Sequence, residues 1–259
     1  MFLLLLNRMI IPARRFVQGL GNPMQYNDHM MMPEMPAPLV VENEESFAHM
    51  CADLAAQPAI AVDTESNSLH AYQERVCLIQ ISTRENDYLV DTLAIHSLEP
   101  LGEIFANSAI QKVFHAGDYD LTCLKRDYAF TFANYFDTSI AAAAVGEENL
   151  GLSTLLTKYF GFSVDKRYQR ANWGKRPLGP DMLRYAQSDS HFLLPLRDHL
   201  LPRLEATGRL NLVLEDCAAL AQQTPPMKNH SEDVWRVKGI NGMKPRALSL
   251  LQQLNHLRE

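Results

Sequence analysis

Five residues in three short stretches have the types and spacing to do chemistry. In "AIAVDTES" (59–66), Asp63 and Glu65 stand two residues apart at the end of an apolar run. On a strand, residues i and i+2 point to the same face, so the two carboxylates would lie side by side. In "KVFHAGDYDL" (112–121), Asp120 follows a second apolar run through a glycine. In "LRYAQSDSHF" (183–192), Tyr185 and Asp189 are four apart, which on a helix puts them on one face. Like charges gathered at the end of a buried strand repel and are costly to desolvate, so something must offset them. Oxygen donors of this kind suit Mg²⁺ or Mn²⁺ rather than zinc. Four carboxylates around two cations about 4 Å apart make a phosphoryl-transfer site. Each motif alone is ordinary: Asp-x-Glu is a common strand edge or cap, and Tyr-x3-Asp a common surface pair. The signal is the ordered set.

The elements that would position these residues can be read from periodicity. Residues 44–56 have helical spacing (Phe47, Met50, Leu54). Strands are predicted at 59–65, 75–83 and 87–91, close enough together to form an antiparallel meander. A helix over 96–107, a strand over 111–116 and a helix over 118–129 follow. Next come a short strand at 135–138, a helix that Gly146 stops, and a helix at 152–161 with a glycine stop signal. Residues 162–179 read as irregular. Residues 180–208 read as a long helix that Pro195 should kink or divide. The order predicts a three-layer α/β arrangement around a mixed five-stranded sheet. A further helix after Gly208, a linker at "TPPMKNHSED" and a closing amphipathic helix (Leu248, Leu251, Leu254, Leu257) make a helical extension, residues 211–259.

Composition narrows the setting. The 259 residues carry a formal net charge of −6, so the chain as a whole is not a basic nucleic-acid binder. No apolar run is long enough to span a bilayer. Cys51, Cys77, Cys123 and Cys217 form no CxxC pair, which argues against zinc and disulfides and fits a reducing cytoplasm. Residues 1–36, with "MFLLLLNRMIIPARRF" and the proline-rich "PEMPAP", read as a poorly ordered or over-extended start. A signal peptide would place its charge before the apolar run, and here the charge follows it.

The ordered set resembles the DEDD family of 3′→5′ exonucleases, in the subclass with Tyr in the third motif, and within it the ribonuclease D type. "AVDTESNSL" matches the first motif, "KVFHAGDYDLTCL" the second and "YAQSDSHFLLPL" the third. "DTSIAAAAVG", "GLSTLLTKYFG" and "DKRYQRANWGKRPL" are similar to connecting segments of that family. The resemblance covers about residues 40–210 and implies an RNase H-like fold, with an exonuclease domain over 37–210. It implies that Asp63, Glu65 and Asp189 hold the ion carrying the attacking water, with Asp63 bridging, and that Asp120 serves a second ion. Tyr185 would orient that water, because a phenol at its usual pKa is a poor base at pH 7. His191 lies on another helical face from Asp189 and is read as an ordinary helix residue. Asn172 departs from the family's usual Asp. The segment from "DVWRVKGING" onward is similar to the start of the helicase-and-RNase-D C-terminal domain.

The basic stretch "DKRYQRANWGKR" (165–176) is the candidate nucleic-acid contact. Lys166, Arg170 and Arg176 would meet phosphates and Trp173 would stack on a base, with His115 as a wall of the site. Trp173 packed on the core, and Arg176 as a structural ion-pair partner, are the competing readings. The resemblance implies an exoribonuclease that uses Mg²⁺ or Mn²⁺ and releases nucleoside monophosphates from single-stranded RNA 3′ ends, tRNA precursors among them; a monomer in the cytoplasm is expected. A DNA-directed exonuclease and a catalytically weak RNA-binding protein are the rival expectations.

Overall fold

The computed structural model describes residues 35–224 and 238–256. Six strands form one mixed sheet: β1 (Leu39–Val41), β2 (Ala59–Ser66), β3 (Val76–Ser82), β4 (Asp87–Asp91), β5 (Gln111–Phe114) and β6 (Tyr135–Asp137). Their spatial order is β1-β4-β3-β2-β5-β6. β2, β3 and β4 are the expected antiparallel meander, while β1, β5 and β6 join in parallel. The sheet has six strands, not five. The extra strand, β1, has three residues, too short to show alternation, and it exists by pairing with the edge of β4.

The helices are α1 (Glu44–Ala55), α2 (Glu99–Ala106), α3 (Asp118–Tyr128), α4 (Thr138–Ala144), α5 (Leu152–Phe160), α6 (Pro180–His191), α7 (Leu193–Ala206), α8 (Leu210–Gln222) and α9 (Pro245–His256). Adjacent residues of β4 show the layering. Tyr88 OH donates to Asp53 of α1 at 2.6 Å, whereas Asp87 accepts from Gln187 of α6 at 2.7 Å. Successive strand residues face opposite ways, so α1 and α6 cover opposite faces. Between the layers lies a core that includes Ile60, Val62, Val113, Phe114 and Phe136.

The predicted long helix divides at Phe192, three residues before Pro195. Proline lacks an amide hydrogen and its ring collides with the carbonyl four residues earlier, here that of His191. The helix therefore ends at His191, and Pro195 falls in the first turn of α7, where its missing donor costs nothing. The core does not end near residue 210 either. Val213, Cys217 and Ala221 of α8 are buried, and α8 packs on β6 and α4. Lys125 of α3 closes this join by donating to the carbonyls of Ala221 and Gln223 at 2.5 and 2.7 Å.

Residues 1–34, and the linker beyond residue 224, lie outside the described residues. Pro36 is tied down, because Gln187 Nε2 donates to its carbonyl at 2.6 Å. On α9, Leu250 and Leu254 are exposed. Among the described residues, no helix is long and apolar enough to cross a membrane.

Candidate active site

β2 outruns its neighbour. Its pairing with β5 ends at Ala61, while its pairing with β3 continues to Ser66. Asp63 and Glu65 thus sit at the carboxyl end of the parallel pair, where the sheet opens. A register irregularity at Glu65/Ser66 ends the regular ladder there. Asp120 comes from the first turn of α3, where a helix dipole favours an acid. Tyr185 and Asp189 come from α6, which packs on β2, β3 and β4. Asp63, Glu65, Tyr185 and Asp189 line one cleft of about 380 Å³ together with His115, Leu152 and Gln169. Asp120 is not in that lining but is near enough for its charge to act on Asp63, Glu65 and Asp189, and it accepts a hydrogen bond from Thr64 Oγ1.

The electrostatics are those of uncompensated charge. Solvent reaches Asp63, Glu65 and Asp189, which are half-buried, but protein surrounds them on the other sides and strips their hydration. Burial, then the charges of Asp120, Asp189 and Glu65, hold the Asp63 carboxyl well above the usual range. Burial and the same neighbours push Glu65 to about 9. Burial raises Asp189 to about 7 against the opposing hydrogen bond from Tyr185, and Asp120 to about 6 against the one from Thr64. Among the described residues, none of these carboxylates forms an ion pair with Lys, Arg or His. Nor do three His, Cys, Asp or Glu side chains stand in a ready-made ligand cage there. Burial and mutual repulsion make such a cluster hold protons until other positive charge replaces them. The donor set is all oxygen, carries excess negative charge and has no internal cation, so it fits hard divalent cations.

Tyr185 is buried between rings. Trp173 lies 6.1 Å from it, centroid to centroid, at 30° between planes, and Tyr168 lies at 5.9 Å. Burial, then the charges of Asp189, Glu65 and Asp63, push its phenol above the usual value. It therefore keeps its proton and acts as a hydrogen-bond donor to Asp189.

The turn from β5 into α3 sets the place of Asp120, and Asp137 at the end of β6 holds that turn. Asp137 accepts from the backbone amides of Ala116 and Gly117, both at 3.0 Å. It also caps α4 through Ser139 N at 2.8 Å and takes the Tyr135 hydroxyl at 2.7 Å. Ala116 has φ 53°, a left-handed conformation that costs a non-glycine residue about 1 kcal/mol and needs such support. A Cβ at Gly117 would lie 2.8 Å from Phe114, so only glycine fits there. Asp137 N–H in turn donates to Cys217 Sγ of α8 at 3.2 Å.

The residues expected to bind nucleic acid divide into two groups. His115 is in the cleft wall, its Nδ1 2.8 Å from Thr138 Oγ1, and burial lowers its pKa, which favours the uncharged ring. Lys166 and Arg170 are exposed. Trp173 and Arg176 depart from the expectation. Trp173 is 1% exposed and supports Tyr185 from inside, so no base can stack on it. Arg176 spends its five N–H groups internally: two on Asp91, one each on the carbonyls of Trp173, Lys175 and Cys77. No donor remains for a phosphate. This clamp fixes the basic loop to the sheet. His191 pairs with Asp87, with Nδ1 to Oδ2 at 2.9 Å, on the α6 face away from the cleft, as its spacing implied.

Four residues of the site escaped sequence reasoning. Thr64 has the opposite strand parity from its two acidic neighbours, which hid it. Leu152 and Gln169 reach the cleft through tertiary folding and left no local signal. Asp137 carries an N-cap signal before "TSIAAAA", but nothing in that pattern shows its grip on residues 116 and 117.

Comparison with known proteins identifies the family. A family model described as a 3′-5′ exonuclease matches residues 38–205. Ribonuclease D of Acidiphilium cryptum is 34% identical over 229 residues, which are 88% of this chain and 58% of that protein. Exosome complex exonuclease RRP6 of Saccharomyces cerevisiae is 40% identical over 187 residues, 72% of this chain and 26% of that protein. The crystal structure of Escherichia coli RNase D, titled as an exoribonuclease involved in structured RNA processing, aligns with TM-score 0.69 and 30% identity. The alignment covers 85% of this chain and 59% of that one. The chain thus spans little more than half the length of the ribonuclease D proteins it matches.

Proposed function

The chain belongs to the 3′-5′ exonuclease family that includes ribonuclease D and RRP6, and from that premise we propose that it is a divalent-cation-dependent exoribonuclease releasing nucleoside 5′-monophosphates from single-stranded RNA 3′ ends. One observation supports this most. Carboxylates from β2 and α6 line one open cleft, the charge of Asp120 on α3 acts on them, and among the described residues no Lys, Arg or His pairs with any of the four.

Asp63, Glu65, Asp120 and Asp189 would hold Mg²⁺ or Mn²⁺. Bound cations would supply the positive charge that lowers the pKa of an attacking water and stabilises a leaving oxygen. The chain's own residues do the rest. Tyr185 keeps its proton, so it orients the water and Asp189 rather than taking a proton. Thr64 fixes the Asp120 carboxylate, and the Asp137 turn fixes the helix that carries it. His115 and Gln169 wall the cleft. Lys166 and Arg170 on the exposed loop would meet phosphates. Precursors of tRNA as substrates, which rest on the sequence resemblance, a cytoplasmic setting, which rests on the cysteine pattern, and a monomeric state belong to this proposal.

The test is cleavage of a 5′-labelled RNA and the matching DNA strand with Mg²⁺, Mn²⁺ or EDTA. A metal-dependent ladder on RNA is expected. Equal ladders on both strands would favour a general exonuclease. Undiminished cleavage in EDTA, or RNA binding without any ladder, would overturn the proposal.

A further inference from the structure

Gln80 is a buried polar side chain that the proposed mechanism leaves without a role. It lies in the middle of β3 and is fully buried, and neither Nε2 nor Oε1 has a hydrogen-bond partner. An unsatisfied buried polar group is destabilising, and an amide offers two donors and an acceptor. Such a group persists in a core when water or a charged neighbour completes it.

The register identifies that neighbour. Gln80 stands directly opposite Asp63 across β2 and β3, and opposite Leu89 across β3 and β4. Opposed residues share a face, with Cβ atoms about 4.5–5.5 Å apart. This is the face that α6 covers. Ser82, two residues along, meets Ser190 of α6, with the two hydroxyls 2.8 Å apart. Leu78, two residues back, packs in one cluster with Leu89, Tyr185 and Ala186. Gln80 therefore lies beneath the span of α6 between residues 186 and 190, the span that carries Asp189. Leu78, Leu89 and Ala186 are apolar, and the Ser82 hydroxyl already has a partner. Asp63 does not: the influences on its carboxyl are burial and three other acids, with no hydrogen-bond donor among them.

We propose that Gln80 is a positioning residue for Asp63: its amide Nε2–H donates through one buried water to the Asp63 carboxylate and fixes that carboxylate toward the cation. The inference rests on the metal-dependent reading above. Loss of a hydrogen bond behind a metal ligand costs ~10–100-fold in metal affinity.

The experiment is Mn²⁺ binding to the full chain, by calorimetry or electron paramagnetic resonance, for wild type, Gln80→Met and Gln80→Glu, with urea unfolding of each metal-free form. Gln80→Met removes both unpaired atoms at similar volume. It should unfold at the same or higher urea, yet bind Mn²⁺ ~10–100-fold more weakly, with kcat lowered and KM for RNA unchanged. Gln80→Glu removes the donor and adds a like charge, so it should bind more weakly still. A folded Gln80→Met with wild-type Mn²⁺ affinity overturns the inference and leaves the proposed function standing. Wild type that binds no Mn²⁺ overturns the function and this inference with it. Should Gln80→Met not fold, a crystal structure of Mn²⁺-loaded wild type decides. Nε2 beyond about 3.5 Å from Asp63 with no water between them refutes the role.

Discussion

Asp137 and Asp63 are aspartates at the carboxyl ends of strands in the same sheet, and the fold treats them in opposite ways. Asp137 is 1% exposed and receives donors from Ala116, Gly117, Tyr135, Ser139 and Ile140. Burial alone would raise its pKa, but the hydrogen bonds from Ser139, Tyr135, Gly117 and Ala116 outweigh burial and hold it below the usual range. Among the described residues Asp63 has no comparable set of donors, and burial plus three acidic neighbours hold it far above. One carboxylate holds the scaffold together and the other burdens it. The difference teaches where to look for a guest: the chain could supply donors to a buried acid and does so nearby, so the unpaired set is complete only with added positive charge.

The sharpest way to break this contrast is Asp63→Ala. Cleavage should fall by about 10³-fold or more, equal to ~4 kcal/mol of barrier, while the metal-free protein should unfold at higher urea because a buried carboxyl without compensating partners has gone. Turnover near that of wild type, read on the labelled RNA, would remove the basis of the contrast. Asp137→Ala is the converse. It leaves the amides of 116 and 117, the second of them buried, without an acceptor and should cost ~3 kcal/mol of stability. A urea midpoint matching wild type would show that the turn does not depend on it.

Tyr185→Phe sharpens the distinction between holding a cation and orienting a water. It should slow kcat by ~10–100-fold with Mn²⁺ affinity unchanged, and a variant that no longer binds Mn²⁺ refutes the assigned role. The smallest expected effect is on pH dependence. Asp120, Asp189 and Glu65 have folded pKa values of about 6, 7 and 9, above the unfolded range near 4. The folded form holds more protons, so their contribution is most favourable below about pH 4 and is lost as pH rises through those values. Asp137 runs the other way: its contribution is present above about pH 4 and is lost as pH falls. Metal-free protein should therefore lose stability from about pH 5 to 9, and Mn²⁺ should flatten the loss. An unfolding midpoint that stays level over that range without metal would contradict the reading of the cleft.

Much of this was legible in the sequence, for identifiable reasons. Strand parity placed Asp63 with Glu65, helical spacing placed Tyr185 with Asp189, and alternation marked the strands within one or two residues of their ends. Local pattern failed where a distant partner decides. β1 needs the edge of β4, whereas the division of the long helix was expected from Pro195, only three residues beyond the break. Arg176 and Trp173 looked like a nucleic-acid surface because basic and aromatic residues do the same on either side of a loop. Only Asp91 and Tyr185, far away in sequence, show that both point inward. Gln80 was read simply as part of an alternating strand, since a pattern of polarity does not report whether a polar atom is satisfied.

The clasp between Lys125 and the end of α8 has a consequence for where this protein can be cut. The segment that defines the family stops at residue 205, yet the helix bearing Asp120 is pinned to carbonyls at 221 and 223. A fragment trimmed to the family border would uncover the seat of Val213, Cys217 and Ala221 and leave a lysine ammonium with nothing to hold. The smallest self-sufficient piece is therefore longer than the piece that sequence similarity outlines, and its border is set by one lysine.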